Sequence, residues 1–459
     1  MDDLDKKSGF LTGGKVTRRE VLKTGVIAAA GLTLLPTVLA ACGSSSSGGK
    51  VTIGNNHSDA SDLAGMKAVN DAFSKANSSI TLTMNTVDHG TFQDQINNYL
   101  GATPDDAFSW FSGYRMRFFA DKGLATAIDD SWDKVKSNFT AGFANSVVGN
   151  DKKVYGIPVD YYPWCVFYRK SLFSDKGYTV PATWDDLLTL CAKMKTDGLT
   201  PFAFGDSDGW PAMGTFDILN LRLNGYDFHV GLMTGAQKWT DPKVTTVFQT
   251  WAKLIPFYTD GYAGLTCQQA CDTLVRKTAG LYFLGLFMTG EVATVDKTAV
   301  DDIDFFPFPF FKNAFDAEQA LDAPIDIWML SAKSPSLTAD LINAKAYMNF
   351  WAKGSTQVLM YKANNGFIPT ANDADSSTYD VLTKKAVSIV SAAKKITQFM
   401  DRDTRPDFAG ANGMQSFLLS FLGNPTQDLA ALQASIQAFW DALPAYVVAP
   451  VPTPAPTAS

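Results

Sequence analysis

Val51-Thr52-Ile53, then Met66, Val69, Ala72 and Phe73, then Ile80-Thr81-Leu82-Thr83-Met84: along this stretch the apolar spacing changes from alternation to helical spacing and back. It predicts a strand at 51–53, a helix over 64–76 and a second strand at 80–84, with another helix over 92–100. A βαβα opening argues for a mainly parallel sheet with helices on its faces. The plan continues downstream. Thr183-Trp184-Asp185-Asp186 starts a helix, with Thr183 as N-cap and Asp186 placed to complete the acidic variant of a capping box. Leu187, Leu188, Leu190, Cys191 and Met194 supply its apolar face. No repeat at solenoid periods is present.

Upstream of this body, Thr17-Arg18-Arg19-Glu20-Val21-Leu22-Lys23 precedes an apolar run that ends at Leu39-Ala40-Ala41-Cys42. The charge-then-apolar order is that of an export leader, and the heptad resembles the twin-arginine pattern with Val21 in place of the usual Phe. Ala40 and Ala41 before Cys42 resemble a bacterial lipobox, which implies a leader over 1–41 and lipidation at Cys42. A non-cleaved membrane anchor is the alternative, but the run over 26–41 is short for a span and Pro36 interrupts it. Residues 42–50 read as the acylated cysteine with a flexible Ser/Gly linker, and 444–459 as a Pro-rich tail.

The 418 residues from Cys42 onward exceed the roughly 250 to 300 at which one core stops growing, so two lobes are expected. The whole chain carries a formal charge of −7, and six basic against four acidic residues in the leader leave −9 for the rest. That balance, with no Lys/Arg cluster after Lys23, argues against a nucleic-acid partner. Only three histidines occur, His57, His89 and His229, none at HxxH or HExxH spacing, so no metal is expected. Cys165, Cys191, Cys267 and Cys271 could form disulfides in an oxidising compartment, in any of three pairings, or stay buried thiols.

Gly156-Ile157-Pro158-Val159, then Val166-Phe167-Tyr168-Arg169-Lys170-Ser171-Leu172-Phe173, then Pro181-Ala182-Thr183-Trp184-Asp185-Asp186-Leu187 resemble the central signature of extracellular carbohydrate-binding proteins. These are the solute-binding subunits of ABC importers, the family that includes maltose-binding protein. Pro104-Asp105-Asp106-Ala107-Phe108-Ser109-Trp110, Ala120-Asp121-Lys122-Gly123-Leu124, Trp239-Thr240-Asp241-Pro242, Asp260-Gly261-Tyr262, Gly280-Leu281-Tyr282-Phe283-Leu284-Gly285 and Asn365-Gly366-Phe367-Ile368-Pro369 follow in the family's order. The resemblance covers about residues 50 to 440. It implies an α/β chain of the two-lobed type II periplasmic-binding-protein fold, with a hinge and an interlobe cleft. The expected first lobe is 51–158 plus 305–348, and the second 159–304 plus 349–443. Crossings are placed near 156–160, at 305–311 and between 348 and 354. Pro307 and Pro309 keep the second of these extended, as a crossing segment or, alternatively, as a purely structural edge strand.

A sugar presents apolar C–H faces and a rim of hydroxyls, which suits aromatic plates with acidic and amide side chains. Gly205-Asp206-Ser207-Asp208-Gly209-Trp210-Pro211 follows the apolar strand Pro201-Phe202-Ala203-Phe204. Loops at strand ends are where open α/β sheets bind ligands, so Trp210 and Asp208 lead the candidates. By resemblance, Asp160 stands where the family commonly supplies a carboxylate, with Tyr161 and Trp164 beside it, and Trp110 at a stacking position. His57 and Asp59 follow the first strand, where Asp59 could equally cap the next helix. Phe287 replaces a Trp common in the family. Asp326 interrupts the strand Pro324-Ile325-Asp326-Ile327-Trp328-Met329-Leu330, and a charge there needs a partner, either ligand or a structural cation. Asp401 and Arg402 could reach hydroxyls through the Arg fork or pair with each other at the surface.

The resemblance implies a monomeric, lipid-anchored receptor outside the cytoplasmic membrane that captures a sugar and passes it to ABC permease subunits, without cofactor or catalytic residues. Two alternatives remain: a non-sugar solute such as a polyamine, phosphate ester or peptide on the same fold, and a secreted glycoside hydrolase.

Overall fold

The protein is described from a computed structural model that covers residues 49–332 and 341–445. The expected leader, Cys42, nearly all of the Ser/Gly linker and most of the Pro-rich tail lie outside the described residues. Among the described residues, thirteen strands form three sheets within one compact unit. In chain order they are β1 (Gly49–Asn55), β2 (Ile80–Thr86), β3 (Ala107–Phe111), β4 (Ala125–Thr126), β5 (Gly156–Tyr161), β6 (Trp164–Arg169) and β7 (Thr200–Ala203). Then follow β8 (Ala279–Gly285), β9 (Ile303–Phe306), β10 (Leu321–Asp322), β11 (Ile325–Ser331), β12 (Ile368–Pro369) and β13 (Ile396–Thr397).

The larger sheet has the order β12-β5-β11-β3-β1-β2, with β4 also paired to β11. The smaller has the order β7-β8-β6-β9, and β10 pairs with β13 alone. One α/β lobe is built on each of the two main sheets. The opening βαβα unit is present: β1 is parallel to both β2 and β3. The sheet is nevertheless mixed, because β11 runs antiparallel to β3, β4 and β5. A strand that returns from the other lobe is not tied to its neighbour by a helical crossover and is free to run either way. Strands β3, β5 and β11 are buried along their whole length, as strands covered on both faces must be.

Helix Ala60–Ala76 buries Met66, Val69 and Phe73 on one stripe. The Phe73 ring meets Tyr347 edge-on at 5.2 Å, and burying a ring of that size is worth roughly 1.5 to 3 kcal/mol. Helix Trp184–Thr196 begins at the expected reciprocal box: the Thr183 hydroxyl accepts from the Asp186 N–H, and the Asp186 carboxylate accepts from the Thr183 N–H. Such caps contribute about 1 kcal/mol.

The chain passes from the larger to the smaller sheet at Tyr162-Pro163, between β5 and β6. Its later passages fall elsewhere than expected. Phe305 and Phe306 belong to β9 and pair with β6, so the extended run at 305–311 stays with the smaller sheet, and the return comes between β10 and β11. Residues 349–369 stay with the larger sheet, since helix Gly354–Ala363 packs on helix Ala60–Ala76 and β12 pairs with β5. By Lys385, which donates to the Asp304 carboxylate and the Phe305 carbonyl, the chain is back at the smaller sheet. Prolines mark extended backbone wherever it lies, and so could not locate a crossing.

Cys165, Cys191, Cys267 and Cys271 are all buried free thiols, with no disulfide among them. Among the described residues no helix is long and apolar enough to cross a membrane.

Candidate functional site

A cavity of about 180 Å³ lies where the carboxyl ends of β1 and β7 face each other. On the larger-sheet side, β1 delivers residues 56–59 through a turn fixed from within. Buried Asn55 donates to the His57 carbonyl and accepts from the His57 N–H, while Ser109 of β3 accepts from the Asn56 N–H at 2.9 Å and donates to its side chain at 2.8 Å. His57 Nδ1 then stands 3.8 Å from Asp62. Burial disfavours the imidazolium, but Asp62 and the more distant Asp326 and Asp59 outweigh it, so the His57 pKa is raised. Asp59 is pushed up by burial and by Asp62.

His89, which sequence reasoning passed over, lines the same wall. Its Nδ1 is 3.3 Å from the Asn56 carbonyl and its Nε2 is 2.7 Å from the Gln93 amide, whose oxygen in turn accepts from Arg115. A carbonyl only accepts, so Nδ1 carries the proton. Burial together with Arg402 and His57 lowers the His89 pKa, which keeps the ring neutral.

Arg402 closes the base of the cavity. It donates to Asp326 at 2.9 Å and to the Tyr162 hydroxyl at 2.8 Å, and its guanidinium lies 3.9 Å from the centre of the Phe111 ring. Burial works against its charge, but Tyr162, Asp326 and Asp401 more than offset this and raise its pKa. The partner that Asp326 needs is therefore Arg402. Asp401 lies 3.7 Å from Arg115 and 3.6 Å from Arg402, so these ions pair inside the protein and not at its surface.

The smaller-sheet side is aromatic. Trp164 begins β6, and Phe399 stacks on it at 4.9 Å and 18°. Trp210 meets Trp164 edge-on at 6.0 Å, and Phe287 lies 6.1 Å from Trp210 and 5.1 Å from Tyr162. The Trp210 loop is set by Asp206, not by Asp208. Buried Asp206 accepts from the Ala212 N–H at the start of helix Pro211–Asn224, and burial pushes its pKa up to about 7. Gly209 supplies the positive φ of +72° that closes the turn. Asp208, exposed, is left at the cavity mouth. Gln268 joins the walls by donating to Asp59 at 3.2 Å, and Asn364 by donating to both Asp62 (3.0 Å) and the Phe287 carbonyl (3.2 Å), beside the Arg402–Asp326 pair already described.

Nine expected residues thus line one cavity: His57, Asp59, Trp164, Asp208, Trp210, Phe287, Asp326, Asp401 and Arg402. Three expected residues do not. Trp110, 1 % exposed, packs against Phe92, Phe111 and Phe119, because alternation along β3 turns Ser109 toward the Asn56 loop and Trp110 into the core. Tyr161 points to Phe143 for the same reason. Asp160 sits beneath the cavity, directly across the strand pair from Asp326. Burial, Asp326 and Asp62 hold its pKa well above the usual carboxylate range, and one of its oxygens has no partner. Besides His89, sequence reading missed Tyr162, Gln93, Gln268, Phe367 and Phe399. Strand alternation from Asp160 reaches Tyr162, and Phe367 lies inside a quoted motif, but nothing near Gln268 or Phe399 marks them.

Two α/β lobes hinged around a ligand-sized cleft define a binding protein of the type II periplasmic class. Residues 57–358 match the family described as bacterial extracellular solute-binding protein, and the chain belongs to that family. It is 25 % identical over 299 residues to an uncharacterised ABC transporter extracellular-binding protein of Pyrococcus horikoshii, a match spanning 64 % of this chain and 65 % of that one. Among solved structures it resembles the bacterial solute receptor AcbH, at 39 % identity and a TM-score of 0.81, over 86 % of this chain and 99 % of the receptor. That receptor is described as having an exclusive preference for β-D-galactopyranose. A chitin oligosaccharide binding protein shares the fold at 21 % identity and a TM-score of 0.76, over 85 % and 98 %.

Proposed function

We propose that this chain is the receptor of an ABC importer, capturing one sugar ring in its interlobe cleft and handing it to the permease. The observation that carries this reading is the pairing of walls. Aromatic plates face hydrogen-bonding groups, and two cavity-lining residues, Asn56 and Trp164, each hold a buried N–H donor that no protein atom satisfies. Buried donors require partners, and sugar hydroxyls supply them. At about 180 Å³ the cavity is below the roughly 300 to 1,000 Å³ of sites for drug-sized ligands, which favours a monosaccharide. Acidic neighbours such as Asp59, Asp62 and Asp208 disfavour acidic sugars.

The similarity to a galactopyranose receptor makes D-galactose the first probe. The contact residues proposed are the nine lining ones named above, with Tyr162, His89, Gln93, Gln268, Phe367 and Phe399. The lobes proposed divide at 162–163, between 322 and 325, and between 369 and 385. The twin-arginine-like leader and lipobox support an exported monomer tethered through Cys42 outside the cytoplasmic membrane.

Thermal unfolding against monosaccharides, oligosaccharides, polyols, amino acids and polyamines tests the reading. A ligand at a hundred times its dissociation constant stabilises the folded state by roughly 2.7 kcal/mol. D-galactose or a related monosaccharide should raise the midpoint and be recovered intact. Cleaved sugar would point to a hydrolase, and a shift only with amino acids or polyamines would overturn the sugar assignment.

A further inference from the structure

Behind the cleft, the segment 397–403 that carries Phe399, Asp401 and Arg402 is held from below by three buried aspartates. Asp322 accepts from the Thr397 hydroxyl, Asp217 from the Met400 N–H, and Asp403 from the N–H groups of Gln398 (2.7 Å) and Phe399 (3.4 Å). All three are at most 1 % exposed. The grip is needed, because Phe399 is kept at φ +133°, a conformation that non-glycine residues rarely adopt.

The same three carboxyls have surplus oxygens. One oxygen each of Asp217, Asp322 and Asp403 is buried with no hydrogen-bond partner, and so is His229 Nε2, 3.9 Å from Asp217. Asn220 sits 3.1 Å from His229 Nδ1, and its amide oxygen is already taken by Asn224, so it donates there and leaves the ring proton on Nε2. Three ionised carboxylates cannot share such a pocket without protons or cations to balance them. The facing groups supply too little. From helix Pro211–Asn224 comes Arg222, which donates to the Phe308 and Ala320 carbonyls and whose single charge offsets only part of the effect of burial on Asp322. From helix Tyr226–Met233 come His229 and Tyr226, and from helix Tyr114–Asp121 come Arg117 and Tyr114. The cleft side adds Asp401, itself paired to Arg115 and Arg402.

We propose that Asp217, Asp322 and Asp403 are positioning residues that hold protons between them and so clamp the 397–403 segment in the shape that presents Phe399, Asp401 and Arg402 to the ligand. Burial drives the Asp322 and Asp403 pKa values up to about 7, Asp403 being raised further by Asp401, and Asp217 is displaced the same way by burial and Asp322. Burial likewise pushes His229 down to about 3, so it brings no charge. Folded pKa values above the ordinary 3.8 mean that the clamp's stabilisation is complete below that pH and is lost as pH rises through about 7.

The effect on ligand rests on the sugar-receptor reading, but the clamp itself has a ligand-free reporter. Trp164 stacks on Phe399, and its indole N–H has no partner. In the ligand-free protein its ¹⁵N–¹H resonance, assigned through Trp164→Phe, should shift between about pH 6 and 8 in the wild type and stay fixed in Asp403→Asn. D-galactose affinity should weaken by about tenfold across the same window in the wild type, one pKa unit of linkage, and lose that dependence in the variant. A wild-type resonance that does not move, or one that moves equally in Asp403→Asn, overturns the clamp. If Asp403→Asn does not fold, Asp322→Asn takes its place. If D-galactose binds at no pH, the galactose assignment fails while the Trp164 resonance still decides the clamp.

Discussion

The two walls of the cleft solve opposite problems. The larger-sheet wall carries ions and amides taken out of water, each tied to a neighbour: His57 to Asp62, His89 to Gln93, and Asp326 to Arg402, which reaches it from the other side. The smaller-sheet wall carries rings, Trp164, Trp210 and Phe287, whose positions come from packing. A polar wall is costly when one member is lost, because its partner stays buried and unsatisfied. An aromatic wall loses area smoothly. The difference teaches that stability depends steeply on the polar wall, while affinity draws on both.

The largest effect should come from breaking the polar wall at Arg402. Its charge compensates Asp326 and Asp401, all three nearly inaccessible. Arg402→Ala should cost about 3 to 5 kcal/mol of stability, the usual result of stranding a buried charge. Replacing the pair by Arg402→Met with Asp326→Leu should recover most of the stability in a urea titration and leave D-galactose binding abolished. Recovery of binding in the double variant would show that these ions serve the fold alone.

Trp210 tests the other wall. It is half-buried at the cavity edge, against Trp164 and Phe287. Trp210→Ala should weaken D-galactose binding by about 1 kcal/mol, the scale of an aromatic contact beyond its area. The urea midpoint should move far less than for Arg402→Ala. A stability loss as large as that of Arg402→Ala would erase the contrast between the walls.

The walls also differed in how far the sequence foretold them. Residues 56–59 and 205–210 follow apolar strands, and loops at strand ends are exposed to reading because a strand's period locates its end. Trp110 and Tyr161 lie off the cavity although both stand in motifs that the sequence marks. A strand puts neighbours on opposite faces, and only the pairing of β3 and β5 with β11 decides which face meets the cleft. Asp160 and Asp326 show the limit most clearly. They are cross-strand neighbours, yet Arg402, from a segment 76 residues beyond Asp326, pairs with one and leaves the other its unpartnered oxygen. Phe399 and Gln268 come from segments with no strand period before them, so nothing local marked them.

The smallest effect should arise where the walls meet. Gln268, on helix Cys267–Val275 of the smaller-sheet side, donates to Asp59 on the larger-sheet side. That contact exists only while the lobes are together, so removing it should act on closure and leave each lobe's packing alone. The bond is partly solvated, and the carboxylate it satisfies can turn to water when the cleft opens. Gln268→Ala should therefore cost D-galactose affinity about 1 kcal/mol, the net worth of one such bond. The loss should appear as faster release, because a latch formed after encounter affects escape more than capture. Stopped-flow measurement of both rate constants checks this. A slower association with unchanged release would place Gln268 at the entrance of the cleft, and closure would then rest on the Asn364 and Arg402 contacts.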